Sequence, residues 1–403
     1  MVDVVALECK TLKLQKNTKY NYLLSSEKKK NIFITGSTGF IGIFLLEKLL
    51  INTTANIYCL IRVSGNEDAF CKVYAAANKH QIKIDWKKYL SKLHFIKGDV
   101  SKVNFGLSNN EYSALNKVID VIYHLAGNTS FIQPYSLVKA VNVFGTEQII
   151  RFATKEELIP VHYVSTFAVF SCIHAFKNIK FIDERRNSYD SYSCLKYDIG
   201  YVQSKWVAEQ LLQQAIKRGV PVTIYRSGFV LCHYATGAME KSHFWHAFIK
   251  ICLQLKVYPI LIKQKEEFIS VDFMVNALFC LSQQEGAIGS IYHICPNSSD
   301  NIDIIEVFNQ IEQHLGINFV PLPYKEWLDK VLKYVELNGK NSAIYPFIPL
   351  LRDKIYMDKT ALEIYQNTPD CTSIFTDSIL QKAGIIPPST KDLLIKYIEK
   401  IKG

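Results

Sequence analysis

From Asn31 onward the chain alternates short apolar runs with longer amphipathic stretches. Asn31-Ile-Phe-Ile-Thr35 is an apolar run of strand length that leads straight into glycines, after which Ile41, Leu45, Leu46, Leu49 and Leu50 recur at helical spacing. Asn56 to Ile61 is a second such run, and residues 94–97, 118–123, 161–165 and 222–225 supply four more. Helical patterns fill the intervals, including 134–154 and 201–218, with Pro160 and Pro221 in the turns that follow. Nearly continuous apolar strands alternating with helices predict a parallel sheet covered on both faces. Beyond Gly228 the alternation weakens. Ile304, Val307, Phe308, Ile311 and Leu315 mark an amphipathic helix, and residues 321–332 open another element.

The expected architecture is α/β, a doubly wound parallel sheet with a smaller, mainly helical C-terminal substrate lobe over the carboxyl ends of the strands. Its expected division is a leader at 1–30 and a nucleotide-binding domain at 31–228 with a returning segment near 268–296. Residues 229–267 and 297–403 form the substrate-binding lobe. Composition leaves this picture intact: 403 residues, 49% hydrophobic and 21% charged, suit a large globular core. Residues 1–30 are polar, with no apolar core of signal-peptide length. The most apolar later stretch, 243–262, is broken by Lys250, Lys256 and Pro259, whereas a membrane span needs roughly 20 mostly apolar residues. It is expected to be a buried helix or pocket wall, in a protein with no membrane span.

Ten cysteines are scattered from Cys9 to Cys371 with no close pair, which fits a reducing cytoplasm better than a disulfide framework or a zinc site. His243 and His246 lie one helical turn apart without a third ligand at metal spacing, so no metal is expected. The net charge of +10 can attract an acidic partner, but no basic run is interleaved with aromatics, and nucleic acid is not expected.

Gly36-Ser-Thr38-Gly39-Phe40-Ile41-Gly42 follows the first strand and opens the first helix. Phosphates must approach bare backbone there, and a helix N-terminus offers them free N–H groups and partial positive charge. The placement makes the fold Rossmann-type. An NAD enzyme carries an acid about 20 residues beyond the glycines. Here the second strand ends in Arg62 with no acid between Tyr58 and Val63, and Lys72 offers a second charge. A guanidinium suits a ribose phosphate that a carboxylate would repel, so NADPH is favoured. Asp99 and Val100 follow the third strand, where the adenine is expected. Leu125-Ala126-Gly127 after the fourth strand are small where the backbone must pass close to the cofactor. Ser227 and Gly228 end the sixth strand on the same side.

Tyr201 and Lys205 stand one helical turn apart on one face. An ammonium beside a phenol is expected to lower its pKa from about 10, tuning it to deliver a proton to an oxygen as hydride reaches the carbon. Thr166 ends the fifth strand, where its hydroxyl can steady negative charge on a carbonyl oxygen. Ser165 is the alternative, and also a candidate cofactor contact. Asn142 could hold a water or a backbone group behind the site.

With these residues assembled, the chain resembles the extended short-chain dehydrogenases, and within them the thioester reductase domains that end nonribosomal peptide synthetases, polyketide synthases and carboxylic acid reductases. The resemblance rests on the glycine turn, Cys59-Leu-Ile-Arg62, the block from Gly98 to Ser108, and Val121-Ile-Tyr-His124. It continues through Phe131 with Pro134-Tyr135, Asn142 to Thr146, His162 to Thr166, Tyr201 to Lys205, Ile269 to Phe273, Tyr292-His293 and Glu326-Trp327. Ser227, Phe229 and Cys232 depart from that pattern. The resemblance implies NADPH-dependent release of an acyl or peptidyl thioester from a carrier protein's phosphopantetheine, as an aldehyde or, after a second hydride, an alcohol. Thr166 and Tyr201 would hold the oxygen while Lys205 orients the ribose and Tyr201. No carrier-like segment precedes the glycine turn, which implies either an excised domain or a reductase meeting its carrier in trans. A fatty acyl-CoA reductase is the nearest alternative. A sugar-nucleotide epimerase and a non-catalytic NADPH-binding regulator are further ones.

Overall fold

A computed structural model describes residues 31–402 apart from 178, 285 and 297–299. The expected leader and Cys9 lie outside the described residues. The main sheet is built from β1 (Asn31–Thr35), β2 (Asn56–Ile61), β3 (Leu93–Lys97) and β4 (Val121–His124). It is completed by β5 (Val161–Thr166), β6 (Val222–Ser227) and β7 (Ile291–Ile294). All pairings among these strands are parallel, in the order β7-β6-β5-β4-β1-β2-β3. The chain therefore reverses direction across the sheet between β1 and β4, the position at which such sheets bind ligands beyond their carboxyl ends.

Alternation along the strands divides the interior. Ile32, Ile34, Ile57 and Cys59 join one buried cluster with α1 (Phe40–Asn52), α2 (Ala69–Lys79) and, later in the chain, Val271–Ser282. Phe33, Ile122, Val161 and Tyr163 point the other way, against α3 (Asn109–Val118), α4 and α5 (Gly200–Lys217). Here α4 is the continuous run of Tyr135–Lys139, a wider π-type turn at Ala140–Phe144, and Gly145–Ala153. Burial on both faces is why the strands read as unbroken apolar runs.

A third cluster gathers α6 (Phe244–Leu255), α8 (Ile304–Leu315) and α9 (Tyr324–Asn338) around Phe248, Phe308 and Trp327. The helix α7 is Val271–Ser282, preceded by the short strand Phe268–Ser270, which pairs with Phe229–Cys232 just past β6. The C-terminal region is not all one body. Leu380 of α10 (Ile374–Lys382) belongs to the cluster of Ile32 and Ile57, and His293 N–H on β7 donates to Thr376 Oγ1 at 3.1 Å. That return, across some 80 residues, leaves no periodic signal in sequence.

Candidate active site

Two glycines of the first turn are dictated by protein packing and a third is not. Gly36 has φ +77°, and a Cβ there would lie 2.6 Å from the Ala126 nitrogen. A Cβ on Gly42 would lie 2.0 Å from the Gly36 carbonyl oxygen. At Gly39 the nearest atom would be 3.3 Å away, and both Thr38 and Gly39 are exposed. No side chain among the described residues caps the N-terminus of α1. An exposed glycine with no side-chain cap, where a Cβ would be tight against the Gly36 carbonyl but short of overlap, fits a ligand approaching the backbone there. Phe40 is buried and Ile41 half-buried, so what these two present at the turn is their backbone.

Leu125 N–H donates to the Thr35 carbonyl at 3.2 Å and Ala126 N–H to Thr35 Oγ1 at 3.2 Å, which fixes the β4 loop against the β1 turn. Gly127 is exposed at its end. Arg62 is exposed after β2, and its guanidinium enters no ion pair among the described residues. Lys72 does not present a second free charge. Its Nζ pairs with Glu67 at 2.9 Å and donates to the Arg62 carbonyl at 2.7 Å, so it braces the Arg62 loop. Asp99 Oδ1 accepts from Ser101 N–H at 2.8 Å and from its hydroxyl at 2.7 Å. Beneath it Phe105 is fully buried with φ +59°, and its carbonyl accepts from Asp99 N–H at 2.8 Å. The block from Gly98 to Ser108 is thus a plug that sets the end of β3, with Val100 packed in the core.

At the reacting centre Thr166, Tyr201 and Lys205 come together at the carboxyl end of β5. Burial pushes the Tyr201 phenol up to about 12, and Thr166 beside it pulls only weakly the other way. The expected acidification of Tyr201 by Lys205 is therefore absent. The reason is geometric: Lys205 Nζ faces β5 and donates to Tyr163 Oη at 2.6 Å and the Val164 carbonyl at 2.7 Å. Burial lowers Lys205 to about 7, against the pull of Glu209 one turn on.

Three sequence-predicted residues serve the scaffold instead of facing the crevice. Ser165 Oγ donates to Glu209 at 3.0 Å, because odd-numbered residues of β5 face α5. Asn142, in the π-type turn, accepts from Asn128 N–H at 2.6 Å and donates to its carbonyl at 2.9 Å and to Ser204 at 2.8 Å. Of the two roles left open for it, holding backbone is the one seen. Ser227 Oγ donates to the Gly228 carbonyl at 2.8 Å, while a Cβ on Gly228 would meet the Glu267 carbonyl at 2.3 Å.

Other residues of the site went unread. Glu209 and Arg226, both fully buried, form an ion pair beneath Ser165, and Arg226 also reaches His293 Nε2 at 3.3 Å. The Glu209 spacing of four from Lys205 was the available signal. Gly200 is a glycine because a Cβ would lie 2.5 Å from the Gln133 carbonyl oxygen. That contact fastens Phe131, stacked 5.7 Å from Tyr201, over the start of α5. Beside them runs a mostly apolar groove lined by Phe131, Ile132, Pro134, Ile199, Leu350 and Ile355.

The NAD-binding family model described as "Male sterility protein" matches residues 34–278. This chain belongs to that family. Relatives similar to this male sterility family member include aldehyde reductase lnbA of Aspergillus flavus, 33% identical over 328 residues. The match covers 81% of this chain and 32% of that protein. The non-canonical nonribosomal peptide synthetase FrzA of Cladobotryum sp is 30% identical over 377 residues, 92% of this chain and 36% of the relative. The chain thus spans about a third of the length of either relative. Among solved structures, the terminal R domain from the myxalamid PKS-NRPS biosynthetic pathway superposes with TM-score 0.81 at 29% identity, covering 93% of this chain and 90% of that one. A thiolation-reductase di-domain from an archaeal non-ribosomal peptide synthetase shares the fold at TM-score 0.70 and 21% identity, over 96% and 81% of the two chains. The chain is an NAD(P)-binding oxidoreductase of the extended short-chain dehydrogenase kind. No described helix is long and apolar enough to cross a membrane.

Proposed function

We propose that the chain reductively releases an acyl or peptidyl group from the phosphopantetheine thioester of a carrier protein, with NADPH as reductant. The observation that carries this reading is the meeting of Thr166, Tyr201 and Lys205 beside the β1–β4 crossover. The likeness of the whole chain to a terminal R domain supports the choice of substrate class. The glycine turn fits a pyrophosphate, since Gly39 is exposed and no side chain among the described residues caps α1. Gly36, Thr38, Gly39, Phe40, Ile41 and Gly42 would hold it through backbone. Asp99 and Val100 would lie at the adenine, and Leu125, Ala126 and Gly127 would pass beneath the nicotinamide half. Arg62, whose guanidinium enters no ion pair among the described residues, would take the ribose phosphate, which is the basis for NADPH over NADH.

When bound, the cofactor supplies hydride to the thioester carbonyl carbon. Thr166 and Tyr201 would donate hydrogen bonds to the carbonyl oxygen, where negative charge develops. A phenol of raised pKa remains protonated at neutral pH, so Tyr201 can give its proton to that oxygen. Lys205 would hold the ribose hydroxyls with the N–H that it does not give to Tyr163 and Val164. Collapse of the thiohemiacetal then leaves free thiol and aldehyde. The partner would be an acyl or peptidyl carrier protein, and a basic chain of net charge +10 suits an acidic one. Residues 229–267, 300–370 and 390–401 would provide the substrate lobe, with the groove beside Phe131 between it and the loop before α4.

The test is incubation with NADPH and a panel of acyl-carrier thioesters, beside the same acyl groups on coenzyme A, with mass analysis of what is released. Aldehyde or alcohol from the carrier-bound thioesters is the expected result. Release from coenzyme A alone would move the assignment to an acyl-CoA reductase, and no release from any thioester would refute it.

A further inference from the structure

Burying an ammonium costs several kcal/mol unless acceptors surround it, on the order of the penalty for any ion taken out of water. Each acceptor of Lys205 therefore matters. Besides the two bonds to β5, its Nζ lies 4.1 Å from the centre of the Tyr163 ring. Behind Tyr163 the buried polar groups form one ordered line. Ala126 N–H donates to Thr35 Oγ1, which lies 2.7 Å from His124 Nδ1. His124 Nε2 is 3.4 Å from Thr146 Oγ1, and Thr146 donates its proton to the Asn142 carbonyl at 2.7 Å. The Tyr163 hydroxyl lies beside the same Thr146 hydroxyl.

The direction of the line follows from its donors. With its own proton on Asn142, Thr146 Oγ1 can only accept from Tyr163 and His124. Lys205 can only donate at 2.6 Å, so the Tyr163 proton turns away from it, toward the side of Thr146, and an oxygen lone pair turns toward Lys205. His124 cannot reverse this. Burial, helped by the charge of Lys205, holds it neutral with a pKa of about 3, and Thr35 occupies Nδ1, leaving the ring proton on Nε2.

We propose that Tyr163 is a positioning residue for the reaction: its hydroxyl, fixed as an acceptor by Thr146, keeps the Lys205 ammonium charged and in place. The inference rests on the reading of Thr166, Tyr201 and Lys205 as the reacting centre. The groups around Lys205 are Tyr163 from β5, His124 from β4, Tyr201 and Glu209 from α5, and Arg226 from β6 behind Glu209. Glu209 favours the ammonium, but its charge is already shared with Arg226 and the Ser165 hydroxyl. Burial brings the lysine close to losing its proton near pH 7, which is where a 2.6 Å bond from its ammonium to the Tyr163 oxygen weighs most.

The direct test is a pH titration of the Lys205 Cε resonance in full-length, carbon-13 lysine-labelled protein, assigned with Lys205→Arg. Wild type is compared with Tyr163→Phe, which keeps the ring and removes only the acceptor. The midpoint is expected to fall by about one unit. With Lys205 needed in its charged form, kcat would then drop about fivefold more at pH 8 than at pH 6. Thr146→Val, which frees the Tyr163 proton to turn, moves the midpoint the same way and serves should Tyr163→Phe not fold. An unchanged or raised midpoint in a folded variant overturns the proposal. Since the titration needs no substrate, a wild type that turns over no thioester would sink the functional reading and leave this result readable.

Discussion

At the turn between β1 and α1 the site is shaped by missing side chains, whereas along the seam of β5 and α5 it is shaped by side chains holding one another. Gly36 and Gly42 let backbone touch backbone, and Gly39 keeps its outer side open. On the seam, Lys205, Tyr163, Glu209, Arg226 and Ser165 are buried and mutually bonded, so no one of them has a setting apart from the others. Backbone geometry is a local matter that short motifs encode. A side-chain network is assembled from β1, β4, β5, α4, α5 and β6, and its properties belong to the assembly.

The strongest test of this contrast is Gly42→Ala. Its Cβ would overlap the Gly36 carbonyl, and the expected loss of more than about 4 kcal/mol, read by denaturant unfolding, would leave little folded protein. Glu209→Gln comes next. It strands the Arg226 guanidinium in the interior and should cost about 3–5 kcal/mol. The exposed Arg151–Glu147 pair, by comparison, is worth about 0–1 kcal/mol. A loss as small for Glu209→Gln would break the picture of an interdependent seam. Gly39→Ala should separate fold from binding: stability changes by under about 1 kcal/mol, while NADPH affinity by fluorescence titration falls about tenfold. Smallest in scope is Arg62→Gln, expected to weaken NADPH by about tenfold and leave NADH unchanged. Equal losses for both would remove the guanidinium from the ribose phosphate.

The same contrast explains what was legible in sequence. The first six strands and the glycine turn could be read because period and spacing are local properties. Thr166, Tyr201 and Lys205 could be named because strand end and helical turn place them. The state of Tyr201 could not, since it depends on where Lys205 Nζ goes, and the acceptor that captures it sits 42 positions earlier on β5. Ser165 and Ser227 were hydroxyls at strand ends like Thr166, and only tertiary neighbours turn them to Glu209 and to Gly228. Lys72 was a nearby cation whose partner, Glu67, lay within the same loop and went unweighed. The segment near 268–296 was expected to rejoin the sheet domain, and its end, Ile291–Ile294, pairs with β6; the return of α10 escaped because its partner on β7 is far away in the chain.

The measurement that bears most directly on the centre formed by Thr166, Tyr201 and Lys205 is hydride tracing with NADPH deuterated on the transferring face, using an acyl-carrier thioester. Wild type should release an aldehyde carrying one deuterium at its carbonyl carbon, and Tyr201→Phe should release it about 10²–10⁴-fold more slowly at unchanged thermal stability. An acyl group that stays on the carrier or leaves as the free acid, or a Tyr201→Phe variant as fast as wild type, would contradict the account.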